Sequence, residues 1–326
     1  MQLFKQGGTV FSLNWIPFGG YVRLKGENAL DLGQNRVKGG FGAASIPARI
    51  LILSAGVFMN FLLAVAILTG GFWLGQWIPV SVYTSLEAMQ TAADKGVIEL
   101  DLGTRITEVM SGGGAAKVGV PEGSFVTAVD DQPVQTPSEV VAAQKGKWRV
   151  TYTVLVEPDF IEEQTYRVVL NEDGQAGIAM VAFPRYIAGV RQPLFRAFGL
   201  ALKDSWTMTT QTVKGIGHLF ASLAQRGTVP EGISGIVGIA QYTHTSVQEG
   251  IGAYFRLVAL LSLSLAALNI LPLPALDGGR LVFVLAELIQ RRPVNRKFEI
   301  ITNSMGFIFL ILLLLLITYH DIVSLF

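Results

Sequence analysis

Three stretches of the chain are apolar and long enough to cross a lipid bilayer. They cover residues 50–74, 257–276 and 300–319, and the last of them contains five consecutive leucines. A helix needs about 20 consecutive apolar residues to span the hydrocarbon core of a bilayer. The pattern therefore predicts three transmembrane helices.

A separate β-rich domain is predicted between the first and second spans. From about residue 99 to residue 183 the sequence alternates apolar and polar positions in short runs, with a glycine cluster at 112–114 and one helix-like run at 137–145. Alternation with a period of two is typical of strands that bury one face. A plain β domain that only spaces the membrane segments is the alternative to a domain that binds a ligand.

After this domain, residues 196–225 place apolar side chains at helical spacing, interrupted by charged ones. Such a stretch predicts an amphipathic helix, or a pair of helices, on the outer face of the membrane. Packing against the β-rich domain is the competing interpretation. The glycine-rich residues 232–238 then predict a loop or bent helix that re-enters the membrane.

The residues ahead of the first span predict a short hairpin. Residues 9–25 are aromatic and β-branched and are broken by Pro17 and by the Gly19-Gly20 pair, which fits two strands around a glycine turn. The apolar faces of this hairpin would lie on the membrane surface or enter a cavity. A small cytoplasmic hairpin without chemistry is the alternative.

Composition favours a membrane protein over a soluble enzyme. Only 15% of the residues are charged, whereas soluble domains average about 25%. The net charge of +1 argues against a nucleic-acid partner. The chain has no cysteine, so any metal site must use His, Asp or Glu.

The distribution of basic residues predicts the orientation. Residues 1–49 hold six basic and two acidic side chains, residues 280–299 hold five and two, and residues 75–253 hold 13 and 18. Cytoplasmic loops carry the excess of Lys and Arg. We therefore expect a multi-pass protein of the plasma (inner) membrane whose N-terminus is cytoplasmic and whose β-rich domain is extracytoplasmic.

Together these patterns predict an α-helical membrane protein with an inserted β-rich domain. The expected segments are a cytoplasmic hairpin region, a transmembrane helix, the β-rich domain, an amphipathic segment with a glycine-rich re-entry, a second transmembrane helix, a cytoplasmic loop and a third transmembrane helix. In order, they cover residues 1–48, 49–78, 79–185, 186–250, 251–279, 280–299 and 300–326.

The most informative motif is NILPLPALDGG, residues 269–279, at the end of the second span. A carboxylate such as Asp277 costs roughly 2.5–3.5 kcal/mol at membrane depth, so it needs a partner or a wet cavity. Pro272 and Pro274 lack an N–H, and the Gly278-Gly279 pair disfavours a helix, so the backbone beside the carboxylate should unwind. Irregular backbone at that depth persists only inside protein or around a water-filled cavity. The motif therefore predicts a functional site.

This motif, followed by RLVFVLAELI, resembles the signature of the site-2 protease family of intramembrane zinc metallopeptidases, in particular its bacterial regulator-of-sigma-E protease branch. Three further segments are similar in the same order: WIPFGGYVRLKGE to the family's membrane-associated hairpin, SAGVFMNF to its second transmembrane helix, and SGIVGIAQ to the stretch ahead of the aspartate helix. The segment GGGAAKVGVPEGSFVTAVDDQPV resembles the PDZ domains of bacterial envelope proteases, which bind extended peptides at a sheet edge. The resemblance implies a core of four transmembrane helices, three of them present here, and one PDZ domain where some members have two.

The resemblance also implies that Asp277 is the third ligand of a catalytic Zn²⁺. In the family the other two ligands are the histidines of a His-Glu-x-x-His motif, whose glutamate is the general base. This sequence does not contain that motif, and we expect its histidines, His218, His244 and His320, to be ordinary interfacial residues. The expectation is a chain that lacks an N-terminal portion with the general base and two zinc ligands, and that is inactive by itself.

Six residues are candidates for substrate binding by the same resemblance. The hairpin would pair with a substrate helix as it unwinds, one amide in the first span would bond the substrate backbone, and two residues of the second-span motif would line the groove. A helix–helix hydrogen bond for the first-span amide, and simple helix shaping by the two motif residues, remain open. In chain order the candidates are Gly19, Gly20, Tyr21, Asn60, Asn269 and Pro272.

Two functional hypotheses follow. The first is an intramembrane zinc metalloprotease that cuts single-pass membrane proteins in the lipid bilayer, with the PDZ domain gating access. The second is a catalytically inactive homologue that acts as a membrane scaffold and binds peptide or protein ligands through that domain. A small transporter with a broken helix also fits the span pattern, but it does not predict a PDZ domain outside the membrane.

Overall fold

The computed structural model describes residues 2–6, 9–12, 40–156, 160 and 162–324. Its strands are β1 Gln2–Gln6, β2 Thr9–Ser12, β3 Ile98–Val109, β4 Phe125–Val129, β5 Gln132–Pro133, β6 Arg149–Leu155, β7 Glu163–Val169 and β8 Ile178–Gly189. Its α-helices are α1 Ile46–Leu74, α2 Leu86–Asp94, α3 Gly114–Lys117, α4 Pro137–Gln144, α5 Leu194–Arg226, α6 Ile236–Glu249, α7 Ile251–Ile270, α8 Asp277–Gln290 and α9 Arg296–Val323. Short 3-10 helices cover Phe41–Ala43 and Val80–Thr84.

Three of these helices are long and apolar enough to cross a membrane, which confirms the three predicted spans. They are Ile46–Leu74, Ile251–Ile270 and Lys297–Val323. The first ends where Gly75 adopts a left-handed conformation with φ +74°, which favours glycine at a helix terminus. The chain is therefore an α-helical membrane protein with an inserted β domain.

The second span ends earlier than the sequence predicts. Helix α7 stops at Ile270, and a new helix, α8, begins at Asp277 and runs to Gln290. Most of the segment 280–299, expected as a loop, is therefore helical. The reason is that the Gly278-Gly279 pair lies in the first turn of α8, after which apolar side chains such as Val284 give the helix a buried face.

The structure describes the first strand of the predicted N-terminal hairpin. Thr9–Ser12 forms a strand, and it pairs antiparallel with the preceding Gln2–Gln6. Its predicted partner strand lies outside the described residues, as do Gly19, Gly20 and Tyr21.

The β domain is an antiparallel sheet with strand order β7-β6-β4-β3-β8. Its core holds the strand residues Ile106, Val126 and Val154, as the alternating sequence pattern requires, together with Val140 of α4. The Tyr152 hydroxyl accepts a hydrogen bond from Nε2 of Gln144 at 2.6 Å, which satisfies a polar pair inside that core. Burial raises the pKa of the Tyr152 hydroxyl.

Helix α5 is one continuous helix of 33 residues rather than a pair. Its buried small residues Ala197 and Ala201 share a hydrophobic cluster with Ala64 of α1 and Ala259 of α7. Small side chains let helix backbones approach closely, which is the usual way that membrane helices pack. The buried face of α5 therefore packs against α1 and α7, and its Leu200 also packs against the cluster that contains the start of β3.

The chain divides into two compact units. The first comprises residues 1–59, 234–236 and 265–326, and the second comprises residues 60–233 and 237–264. Within the first unit, Nη2 of Arg49 and Oε2 of Glu287 form an ion pair at 2.7 Å that joins the start of α1 to α8. The candidate motif lies in the first unit and the β domain in the second.

Candidate functional site

The motif between α7 and α8 folds as a tight turn that ends at Asp277. The Leu273 amide donates to the Leu271 carbonyl at 2.7 Å, and the Leu276 amide donates to the Leu273 carbonyl at 3.3 Å. Ala275 has φ +73°, an uncommon conformation for a residue with a Cβ. Such local strain is found where a surrounding structure requires it, often at functional sites. The predicted unwinding beside the carboxylate is thus observed.

Asp277 is half-buried in the first turn of α8. The amide groups at a helix N-terminus carry partial positive charge, which stabilises a carboxylate there. The turn therefore presents an anionic oxygen pair at the end of a broken transmembrane segment. This is suitable chemistry for a ligand of a divalent cation.

The two glycines after Asp277 allow the new helix to lie directly on the turn. A Cβ at Gly278 would lie 2.1 Å from the Leu271 carbonyl oxygen, and a Cβ at Gly279 would lie 2.2 Å from that of Leu273. Both glycines are buried. Any side chain at these positions would push α8, and the carboxylate that opens it, away from the turn.

Helix α9 holds the turn from the other side. The Oδ1 atom of Asn303 accepts a hydrogen bond from the Ala275 amide at 3.2 Å. One turn later Gly306 is buried, and a Cβ there would lie 2.4 Å from the Cβ of Pro274. Sequence reasoning missed both residues. Their signal was an amide and a glycine three positions apart, on one face of the helix.

Three of the predicted site residues lie on the turn or at its ends. Asn269 is half-buried in the last turn of α7, Pro272 is exposed on the turn, and Asp277 follows it. Asn60 is half-buried on α1 and belongs to the second compact unit. Gly19, Gly20 and Tyr21 lie outside the described residues.

The described residues do not form a complete metal site. His218 and His244 are exposed, and Nε2 of His244 lies 3.0 Å from Nε2 of Gln248, whereas His320 is half-buried on α9. Within the part of the chain that the structure describes, no three His, Cys, Asp or Glu side chains are grouped closely enough to hold a metal ion. Asp277 fits one ligand of such a site, and a catalytic zinc ion needs three protein ligands.

Comparison with known proteins gives the family. A model of Peptidase family M50 matches residues 1–313. The chain is 29% identical over 286 residues to the regulator of sigma-W protease RasP of Bacillus subtilis, covering 88% of this chain and 61% of that protein. It is 29% identical over 302 residues to the zinc metalloprotease RasP of Geobacillus kaustophilus, with 86% and 60% covered. It is 29% identical over 326 residues to the Fusobacterium nucleatum protein FN1322, with 98% and 85% covered.

The chain thus spans less than two thirds of the two RasP proteins and most of the third relative. The family match extends over the hairpin region, the β domain and the Asp277 turn. The chain belongs to peptidase family M50, the family of site-2-type zinc metalloproteases.

Proposed function

We propose that this chain is the substrate-binding and partial metal-binding part of an intramembrane zinc endopeptidase that cuts single-pass membrane proteins. The observation that carries the proposal is the turn at residues 271–276, which presents Asp277 at the end of a broken membrane helix and packs against α8 and α9. Irregular backbone in a membrane segment is stable only inside protein or beside water, and hydrolysis requires water. In this proposal Asp277 is one zinc ligand, and histidines of a His-Glu-x-x-His segment supply two more. Zinc, when bound, lowers the pKa of a coordinated water to about 7 and polarises the scissile carbonyl.

The residues of this chain have their own tasks in the proposal. The exposed Pro272 and the half-buried Asn269 border the path of the substrate. A peptide in a helix has its carbonyls engaged, so cleavage requires a locally extended substrate. The hairpin residues Gly19, Gly20 and Tyr21 would bind that extended segment. Asn60 would bond its backbone from α1.

We further propose that the β domain is an extracytoplasmic PDZ domain. Strand β8 lies at one end of the strand order, and α4 lies alongside β4 and β8. An edge strand next to a helix accepts an extended peptide by strand addition. The excess of basic residues in 1–49 and 280–299 supports a cytoplasmic position for those segments and an outer position for this domain.

The scaffold function is the second candidate. It is favoured by the spacing of the three histidines, none of which lies within four residues of another. In that case the β domain would still bind peptide, and the turn at Asp277 would serve only to shape the helix pair.

A fusion experiment distinguishes the two. A transmembrane helix carrying His-Glu-x-x-His is joined ahead of Met1, and the fusion is mixed with a single-pass substrate tagged at both ends. The protease proposal predicts two tagged fragments, and it predicts none when the glutamate of the added motif is replaced by glutamine. A fusion that binds zinc and peptide but leaves the substrate intact would support the scaffold.

A further inference from the structure

The β domain is joined to the membrane helices by two connecting segments, here called crossings, which lie against each other. The outgoing crossing is residues 75–84, after α1, and the returning one is residues 189–193, before α5; we call the pair the neck. A Cβ at Gly189 would lie 2.6 Å from the Trp77 carbonyl oxygen, and a Cβ at Gly75 would lie 2.6 Å from the Arg191 amide nitrogen. The two backbones therefore touch directly, with no room for side chains between them.

Gln192 ties the neck to both the membrane side and the β domain. Its amide donates to the Phe72 carbonyl at the end of α1, at 3.1 Å. Its buried side chain donates from Nε2 to the Gly96 carbonyl at 2.8 Å, just ahead of β3. The Val190 amide adds a bond to the Val97 carbonyl at 3.0 Å. One buried glutamine thus bridges the first membrane helix and the residues just ahead of the first strand of the domain.

The carboxylate of Asp204 connects the outgoing crossing to α5. Only 2% of its surface is exposed, and its Oδ1 accepts a hydrogen bond from the Val80 amide at 2.8 Å. The carboxylate thereby binds the start of the 3-10 helix Val80–Thr84, where amides are otherwise unpaired. Arg256 of α7 donates to the Ile78 carbonyl at 3.2 Å in the same crossing. Helices α5 and α7 therefore both contact the outgoing crossing.

Specific contacts offset part of the effect of burial on the Asp204 carboxyl. Burial raises the pKa of its carboxyl, and the amides of Val80 and Ser81 and the charge of Arg256 act in the opposite direction. Burying a carboxylate is costly unless it is paired and hydrogen-bonded. Removing the carboxylate would leave the Val80 amide and the Arg256 charge poorly satisfied at once.

Apolar side chains pack around the polar contacts of Asp204 and Gln192. Ile78 and Val82 of the outgoing crossing share a cluster with Val97 and Ile98 of the domain, and Leu200 of α5 packs against it. Trp77 joins the cluster formed by α1, α5 and α7. Trp77, Ile78, Val82 and Gln192 of the neck are thus buried, whereas a flexible interdomain linker would be poor in such contacts.

We propose that the neck is a rigid coupling element, locked by Asp204 and Gln192, which makes the β domain move as one body with the outer halves of α1, α5 and α7. Ligand binding at the domain is then transmitted to the membrane helices as a rotation of that body. A flexible connection would not transmit it. This coupling does not depend on zinc or on proteolysis. It is a property of residues 60–233 and 237–264, which cluster as one compact unit.

Distance measurements between two spin labels test the coupling in the full chain. The chain has no cysteine, so Ser138→Cys on α4 and Gln211→Cys on α5, both exposed, can be labelled without further changes. The proposal predicts one narrow distance distribution in detergent or nanodiscs. It predicts a broad one after Asp204→Ala, with Asp204→Asn closer to the parent because its amide oxygen still accepts from Val80. Asp101→Ala, which removes an exposed ion pair with Arg185 on the same domain, is the matched control and should stay narrow.

Hydrogen exchange gives the second readout. The Val80 and Ser81 amides should exchange about tenfold faster in Asp204→Ala, which corresponds to about 1.4 kcal/mol of lost local protection. If that variant fails to fold, the same prediction applies to Gln192→Ala, which removes the other buried side-chain contact of the neck. A broad distribution in the parent, or variants as narrow and as protected as the parent, would overturn the proposal.

Discussion

Asp277→Asn, in the chain fused to a His-Glu-x-x-His helix, is expected to lower the rate of substrate cleavage by at least about 100-fold. Loss of an outer-shell partner of a zinc ligand already costs 10-fold to 100-fold in affinity or activity, and a direct ligand contributes more. An asparagine retains the size of the aspartate but is a neutral and weaker ligand. The substitution should therefore leave the turn folded while it removes the metal-binding charge. Initial rates on the doubly tagged substrate give the comparison.

Asp94→Asn is the matched control for this experiment. Asp94 is an exposed aspartate at the end of α2, remote in sequence from the motif. Its replacement removes the same charge and should leave cleavage unchanged. Equal cleavage by the Asp277→Asn fusion and the parent fusion would remove Asp277 from the zinc site.

Gly279→Ala is expected to destabilise the first compact unit by about 1–3 kcal/mol. The added methyl group would lie 2.2 Å from the Leu273 carbonyl oxygen, which is backbone and cannot rotate away. Relief requires that α8 move off the turn, so Asp277 moves with it. Thermal unfolding in detergent measures the stability, and zinc affinity of the fusion should fall in parallel.

Gly56→Ala, on α1, is the control for this experiment, and we expect it to cause no loss of stability. A Cβ at Gly56 meets nothing within 4 Å, and alanine favours a helix over glycine by about 1 kcal/mol. This variant should be as stable as the parent or more so. Equal unfolding temperatures for Gly279→Ala and Gly56→Ala would show that α8 does not pack closely on the turn.

The membrane spans and the β domain could be predicted because each depends on local periodicity. Long uncharged runs specify α1 and α9, and alternation specifies β6, whose inward side chains Val150, Tyr152 and Val154 are all buried. The unwinding at Pro272 could also be predicted, because proline removes a backbone donor regardless of context. These signals need no knowledge of what lies across the fold.

The remaining features depend on contacts between residues distant in sequence. The Gly278-Gly279 pair looks like a helix breaker in the sequence, yet the structure uses it for close packing inside the first turn of a helix. Asp204 looks like a surface charge on an amphipathic helix, but it is buried against Val80, 124 positions away. Asn303 reads as an isolated amide in a membrane span, and its partner Ala275 belongs to another helix connection. Only the tertiary structure pairs them.

The zinc content of the fused chain tests the central claim most directly. The fusion with the His-Glu-x-x-His helix is purified in the presence of zinc, dialysed, and compared with its Asp277→Asn variant by elemental analysis and zinc-edge X-ray absorption. The account predicts one zinc per parent chain with a nitrogen and carboxylate oxygen environment, and a substantial loss of bound zinc in the variant. Equal zinc content with an unchanged ligand environment in both proteins would contradict it.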